Sequence, residues 1–151
     1  MEVNLHIYSG IGNLIAIVDG IRTDLHISSK EVDHVYNFHG VNFDQLIILL
    51  PPSDPQNDLD VKIFNNDGSI ASNCINGARC VGRFIKDNSL LASNKFKVKT
   101  DGGLWELDNI ENNIFSAAFE AKAEIITKKV EAKGIELSLD CINLGNLHGV
   151  T

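Results

Sequence analysis

The chain has 151 residues, 44% of them hydrophobic and 22% charged, with only three Pro, which is the balance of a folded domain, or of one domain plus the start of another. Thirteen Lys and Arg against twenty Asp and Glu leave a formal charge of −7, so the average field repels a phosphate backbone and excludes nucleic acid as an expected partner. No apolar run approaches the roughly 20 residues needed to cross a bilayer, and Met1–Gly10 lacks a basic start and cleavage site, so a cytoplasmic, membrane-free protein is expected.

Val3, Leu5 and Ile7 alternate with Asn4, His6 and Tyr8, the period of a half-buried strand, and Leu14–Val18 is a short apolar run suited to a buried one. Ser28 and Glu31 have capping-box spacing, and Val32, Val35 and Tyr36 recur at helical spacing up to Gly40, which predicts a helix over Ser29–Phe38. Leu46–Leu50 and Val61–Phe64 read as strands on either side of a Pro-rich surface connection, Pro51–Asp58, and Asn66-Asp67-Gly68 reads as a turn. A second helix is predicted after Asn76, with Ala78, Val81, Phe84 and Ile85 on one face and an end near Asn88. Phe96 and Val98, the turn Asp101-Gly102-Gly103, Leu104–Leu107 and Ile114–Phe119 suggest an antiparallel meander. Leu137, Leu139 and Cys141 mark one more strand, leading into the polar segment Asn143–His148. The expected fold class is α+β, an antiparallel-rich curved sheet wrapped around a central apolar helix.

The densest chemical cluster is Ser72-Asn73-Cys74-Ile75-Asn76-Gly77-Ala78-Arg79-Cys80. It delivers a thiol to the start of a helix, where backbone N–H groups lack intrahelical acceptors and the dipole favours an anion. Cys74 there is either an acid–base or nucleophilic group or a small residue in a turn. Cys80 and Cys141 fall on apolar faces and read as core. Cys74 and Cys80 are separated by five residues with no His between them, which does not suit zinc, and Asp58-Leu59-Asp60 lacks the rest of a calcium loop. Neither a phosphate-binding Gly-Lys loop nor a complete dinucleotide fingerprint is present, so no metal and no nucleotide cofactor are expected.

Five segments, in order, resemble the diaminopimelate epimerases, which invert an α-carbon without pyridoxal phosphate: Gly10-Ile11-Gly12-Asn13, Phe43-Asp44-Gln45, Ile63-Phe64-Asn65-Asn66-Asp67-Gly68-Ser69, Cys74-Ile75-Asn76-Gly77-Ala78-Arg79-Cys80 and Gly145-Asn146-Leu147-His148. The resemblance implies a half of the epimerase fold in residues 1–119, followed by the start of a truncated second domain in 120–151. It implies that Cys74 is one of two catalytic thiols, that Asn13, Gln45, Asn65 and Asn146 contact an amino-acid substrate, and that the Asn76 and Gly77 N–H groups receive its carboxylate. No cofactor is implied. The chain departs from the family pattern at Ile75 (usually Gly), Leu14 (Asp), Tyr8-Ser9 (Met-His), Asn42 (Gly) and Leu147 (Pro).

The family's second catalytic Cys and a substrate-binding Glu-Arg pair would lie beyond Thr151. Three expectations follow: a half-enzyme incompetent alone, a homodimer that brings two Cys74 loops together, or a non-catalytic relic or amino-acid-binding module. Residues 120–151 are expected to be mobile or paired with another chain.

Overall fold

A computed structural model describes residues 3–22, 25, 27–38, 40–111, 114–119, 124–143 and 147–150. The chain divides into two compact units, Met1–Phe119 and Glu120–Thr151.

The first unit runs β1 (His6–Gly10), β2 (Asn13–Asp19), α1 (Ser29–Phe38), β3 (Gln45–Leu50), β4 (Leu59–Asn65), β5 (Ile70–Ala71), α2 (Ile75–Asp87), β6 (Lys95–Thr100), β7 (Gly103–Glu111) and β8 (Ile114–Phe119). Its sheet has the order β1-β2-β3-β4-β6-β7-β8, with β5 added to β4. The pairs β2–β3 and β4–β6 are parallel and the others antiparallel. Each parallel pair is bridged by a helix, α1 in the first case and α2 in the second, because parallel neighbours need a long crossover. Strand periodicity carries no information about partner direction, so these two parallel pairings are not visible in the sequence pattern.

The two helices cover different faces of the sheet. On β2, Ile15 and Ile17 join α2 residues Ala78, Val81, Phe84 and Ile85 in one core, whereas Ala16 and Val18 join Val32 of α1 and Phe43 in another. Burial on both faces explains why β2 and β3 read as continuous apolar runs instead of alternating ones. Strand β6 alternates strictly, with Phe96, Val98 and Thr100 inward and Lys95, Lys97 and Lys99 outward, because only one of its faces is covered. Helix α2 touches β1 and β2 near one end of the sheet and β7 and β8 at the other, which requires the sheet to curl.

Helix α1 occupies the predicted span, and the Glu31 half of its capping box forms: the Ser28 backbone N–H and hydroxyl both donate to Glu31 Oε2 at 2.7 Å, while the Glu31 N–H goes to the Ser28 carbonyl. Helix α2 begins at Ile75, earlier than expected, because Cys74 itself is the N-cap.

The second unit is a three-stranded antiparallel sheet ordered β11-β10-β9, from β9 (Ile125–Ala132), β10 (Ile135–Asn143) and β11 (Leu147–Val150). Lys133 (φ 52°) and Gly134 (φ 77°) form the two-residue turn of the β9–β10 hairpin, both left-handed, as such tight turns require. Strand β9 is not expected from the sequence, since Ile125 and Ile126 adjoin and Lys128, Lys129 and Glu131 interrupt any apolar alternation. Leu147 and His148, expected only as the end of a polar segment, belong to β11 and pair with Asn143 and Ile142.

Candidate functional site

One end of the first sheet gathers the residues singled out in the sequence. Asn13 starts β2, Gln45 starts β3 and Asn65 ends β4, with Gln45 the direct cross-strand partner of both Ile15 and Asn65. The N-terminus of α2 is pressed onto this end. A Cβ on Gly77 would lie 2.5 Å from Ile47 Cδ1 and 3.1 Å from Cys74 Sγ, and one on Gly10 would lie 2.9 Å from the Asn76 carbonyl oxygen, so both positions need glycine for this approach.

Cys74 is half-buried, with extended backbone (φ −154°, ψ 98°), and its Sγ accepts the Gly77 N–H at 3.2 Å. The thiol therefore takes up one of the donors that a helix start leaves unpaired. Burial pushes the Cys74 thiol above its ordinary value, while the Gly77 and Asn76 N–H groups and the Arg79 guanidinium pull it back. The helix start favours thiolate as expected, but desolvation outweighs it, so Cys74 rests as a thiol at neutral pH.

Two hydrogen-bonded groups flank this end. In the first, Arg79 Nη2 donates to Asn76 Oδ1 at 2.6 Å and Asn76 Nδ2 donates to Asn13 Oδ1 at 2.8 Å. In the second, Gln45 Nε2 donates to Asn65 Oδ1 at 3.0 Å, Asn65 Nδ2 donates to Ser69 Oγ at 2.9 Å, and the Ser69 hydroxyl and N–H donate to Asp67 Oδ1 at 2.6 and 2.8 Å. Arg79 thus bonds a neutral amide. Asn146 lies outside the described residues, and His148 is exposed in β11 of the other unit.

Two supporting residues have no role in the sequence reading. Asp44 ties β2 to the segment before β3: its Oδ2 accepts the Leu14 N–H at 2.7 Å and its N–H donates to the Leu14 carbonyl at 2.8 Å. Asn73 Oδ1 accepts the Trp105 indole N–H at 2.7 Å, anchoring the Cys74 loop to the core. The partners in both contacts are about 30 positions apart in sequence, so no local pattern announces them. The Gly10–Asn13 hairpin turns through Ile11 (φ 51°) and Gly12 (φ 89°), and Ile11, a β-branched residue in a left-handed conformation, is 82% exposed.

Cys80 and Cys141 are buried, as expected of core thiols, and burial pushes Cys80 up to about 11. Among the described residues no cluster of three or more His, Cys, Asp or Glu is arranged to hold a metal ion, and no helix is long and apolar enough to cross a membrane.

Similarity to known proteins follows the same segments. The diaminopimelate epimerase of Stutzerimonas stutzeri is 35% identical over 154 aligned residues, covering 93% of this chain and 56% of that protein. That of Azotobacter vinelandii is 34% identical with the same coverage. The chain therefore spans a little over half the length of these relatives. Among solved structures, a hydroxyproline epimerase from Agrobacterium vitis with bound trans-4-hydroxy-L-proline superposes with a TM-score of 0.71 at 11% identity, covering 96% of this chain and 49% of that one. A phenazine biosynthesis protein of the PhzF family from Bacillus anthracis gives 0.57 at 17% identity, covering 84% and 42%. At these identities the two structures show the fold alone. The profile of diaminopimelate epimerase matches residues 5–118, which hold Asn13, Gln45, Asn65 and the Cys74 loop, and the chain belongs to the diaminopimelate epimerase family.

Proposed function

We propose that this chain carries one half of a cofactor-independent epimerase site acting on diaminopimelate, with Cys74 as one of its two acid–base thiols. The observation that carries the reading is the placement of Cys74 at the N-cap of α2, beside Asn76, Gly77 and the Asn13–Asn76 pair. An α-proton between an ammonium and a carboxylate is very weakly acidic, so without an electron sink the site must grip the substrate and stabilise developing charge with fixed dipoles. The α2 N-terminus supplies such dipoles, and the Asn76 and Gly77 N–H groups would take the substrate carboxylate. In the free chain the Gly77 N–H is given to Cys74 Sγ, so carboxylate and sulfur compete for it. Asn13, Gln45 and Asn65 would hold the zwitterion through neutral amides that do not cancel the charges the reaction needs.

As a resting thiol, Cys74 is set to donate a proton, and a partner thiolate would remove one from the opposite face. Cys80 is buried in the α2 core and does not suit that role. Cys141 is likewise buried, so the second thiol would come from another polypeptide segment, for example the Cys74 of a second copy in a homodimer.

A second reading, an amino-acid-binding module without chemistry, is favoured by Ile75, whose β-branched side chain stands at the first position of α2 next to the thiol. Proton NMR of LL-diaminopimelate in deuterated buffer separates the two. Loss of the α-proton signal with appearance of the meso isomer, abolished in Cys74→Ala, is the result expected of the epimerase site. Exchange that survives in Cys74→Ala overturns the role of Cys74. Binding with no exchange at any chain concentration favours the module, whereas activity rising with dimer formation identifies a second copy as the source of the other thiol.

A further inference from the structure

We infer that Asn13 and Gln45 end two hydrogen-bond relays of opposite polarity, anchored on Arg79 and on Asp67, and that these anchors fix which charged group of a zwitterionic amino acid each amide receives. The inference rests on the reading of Asn13 and Gln45 as substrate ligands and names the positioning residues behind them.

A carboxamide can face a neighbour with either its oxygen or its nitrogen, and usually nothing but the neighbour decides. Arg79 decides for the first relay, because a guanidinium has donors and no acceptor. Asn76 must turn Oδ1 toward it, at 2.6 Å, which leaves Nδ2 to donate to Asn13 at 2.8 Å. Asn13 must answer with Oδ1, and its amide nitrogen is left for a ligand. The relay begins at a cation and ends in a donor, which suits a carboxylate.

The second relay is its inverse. The Asp67 carboxylate only accepts, and it takes the Ser69 hydroxyl proton at 2.6 Å and the Ser69 N–H at 2.8 Å. These bonds also hold the Asp67 carboxyl below its usual range, so it remains an anion. With its proton committed, Ser69 Oγ accepts from Asn65 Nδ2, and Asn65 Oδ1 accepts from Gln45 Nε2. Gln45 is left with its carbonyl oxygen, an acceptor, which suits an ammonium. Arg79 reaches Asn13 by way of Asn76, and Asp67 reaches Gln45 by way of Ser69 and Asn65, so both anchors act through the amides they orient.

The test uses the whole chain, with side-chain amide NMR and three probes: diaminopimelate, pimelate, which has carboxylates but no ammonium, and cadaverine, which has ammoniums but no carboxylate. Pimelate should shift the Asn13 amide and cadaverine the Gln45 amide. Arg79→Gln, whose amide offers both polarities, should perturb the Asn13 and Asn76 signals alone, weaken diaminopimelate and pimelate about tenfold, as expected for one hydrogen bond to a charged group, and leave cadaverine unchanged. Arg79→Lys, still a pure donor, should restore binding. Asp67→Asn should do the converse, weakening cadaverine and sparing pimelate. Substitutions that perturb both amide pairs, or neither, overturn the relays. Relays that behave as expected while all three probes weaken equally overturn the charge assignment. Intact relays in a chain that binds no probe overturn the substrate reading itself, leaving the two chains of bonds as structural braces.

Discussion

The residues up to Phe119 and the strands that follow are built with the same local devices, alternation and tight hairpin turns, yet they stand in different energetic positions. The first unit buries β2 and β3 on both faces and fills the space beneath α2 with Trp105, Phe84 and Phe96. The second has complete antiparallel ladders, but Ile125, Ile126, Val130, Ile135, Leu137 and Val150 remain exposed and only Cys141 is buried among its described residues. Hydrogen-bonded strands alone do not make a stable unit, because the net gain per bond is small and burial must offset chain entropy. Strand pairing can thus be fully specified in β9–β11 while little of their apolar surface is buried.

The largest test of that contrast is truncation in each unit. Phe84→Ala should destabilise the first unit by about 3–5 kcal/mol, whereas Leu137→Ala, already 36% exposed, should cost under about 1 kcal/mol. Urea unfolding followed by the fluorescence of Trp105, the single tryptophan, reads the first unit, and amide NMR signals of β9–β11 followed in the same titration read the second. Equal losses would erase the distinction.

A single methyl sharpens it. Gly77→Ala forces a Cβ to within 2.5 Å of Ile47 Cδ1 and should cost about 1–3 kcal/mol by overpacking, while Gly149→Ala meets nothing nearer than Leu139 Cδ1 at 3.5 Å and should be close to neutral. The same comparison in hydrogen exchange predicts amides of β2 and β3 protected to near the global unfolding limit, and those of β9–β11 exchanging through local opening in a dilute monomer. Matching protection in both units would contradict it.

The smallest expected effect is in alkaline pH. Burial raises Cys80 to about 11, so folding favours the neutral thiol. That contribution is whole below the ordinary thiol range and is lost as pH rises toward about 11. The melting temperature should therefore fall through this window, and Cys80→Ala should flatten the fall; an unchanged slope in the variant would assign it to other groups.

What could be read in the sequence follows from whether the determinant is local. Helix α1 was legible to its ends because Ser28, Glu31 and Gly40 are neighbours along the chain, and Cys74 stood out because the residues that make it an N-cap directly follow it. Strand β9 was not legible, since its apolar residues do not alternate, and the parallel pairings depend on crossovers that leave no mark in strand period. The site divides in the same way. Residue types and order pointed to Asn13, Gln45, Asn65 and Cys74, but the contacts that hold them, Asp44 to Leu14, Asn76 to Asn13 and Trp105 to Asn73, join residues 30 or more positions apart. The Asn66-Asp67-Gly68 turn was legible as a turn and not as the anchor of Gln45.

An amino acid seated on the Cys74 loop must shield the Cys74 thiol. The most direct measurement is the rate of Cys74 alkylation by iodoacetamide as a function of pH, with and without diaminopimelate, read residue by residue by mass spectrometry. Modification should climb with pH to a midpoint above the ordinary thiol range, because burial raises this thiol, and diaminopimelate should slow it at Cys74 alone. Alkylation of Cys74 at the same rate whether or not diaminopimelate is present would contradict it.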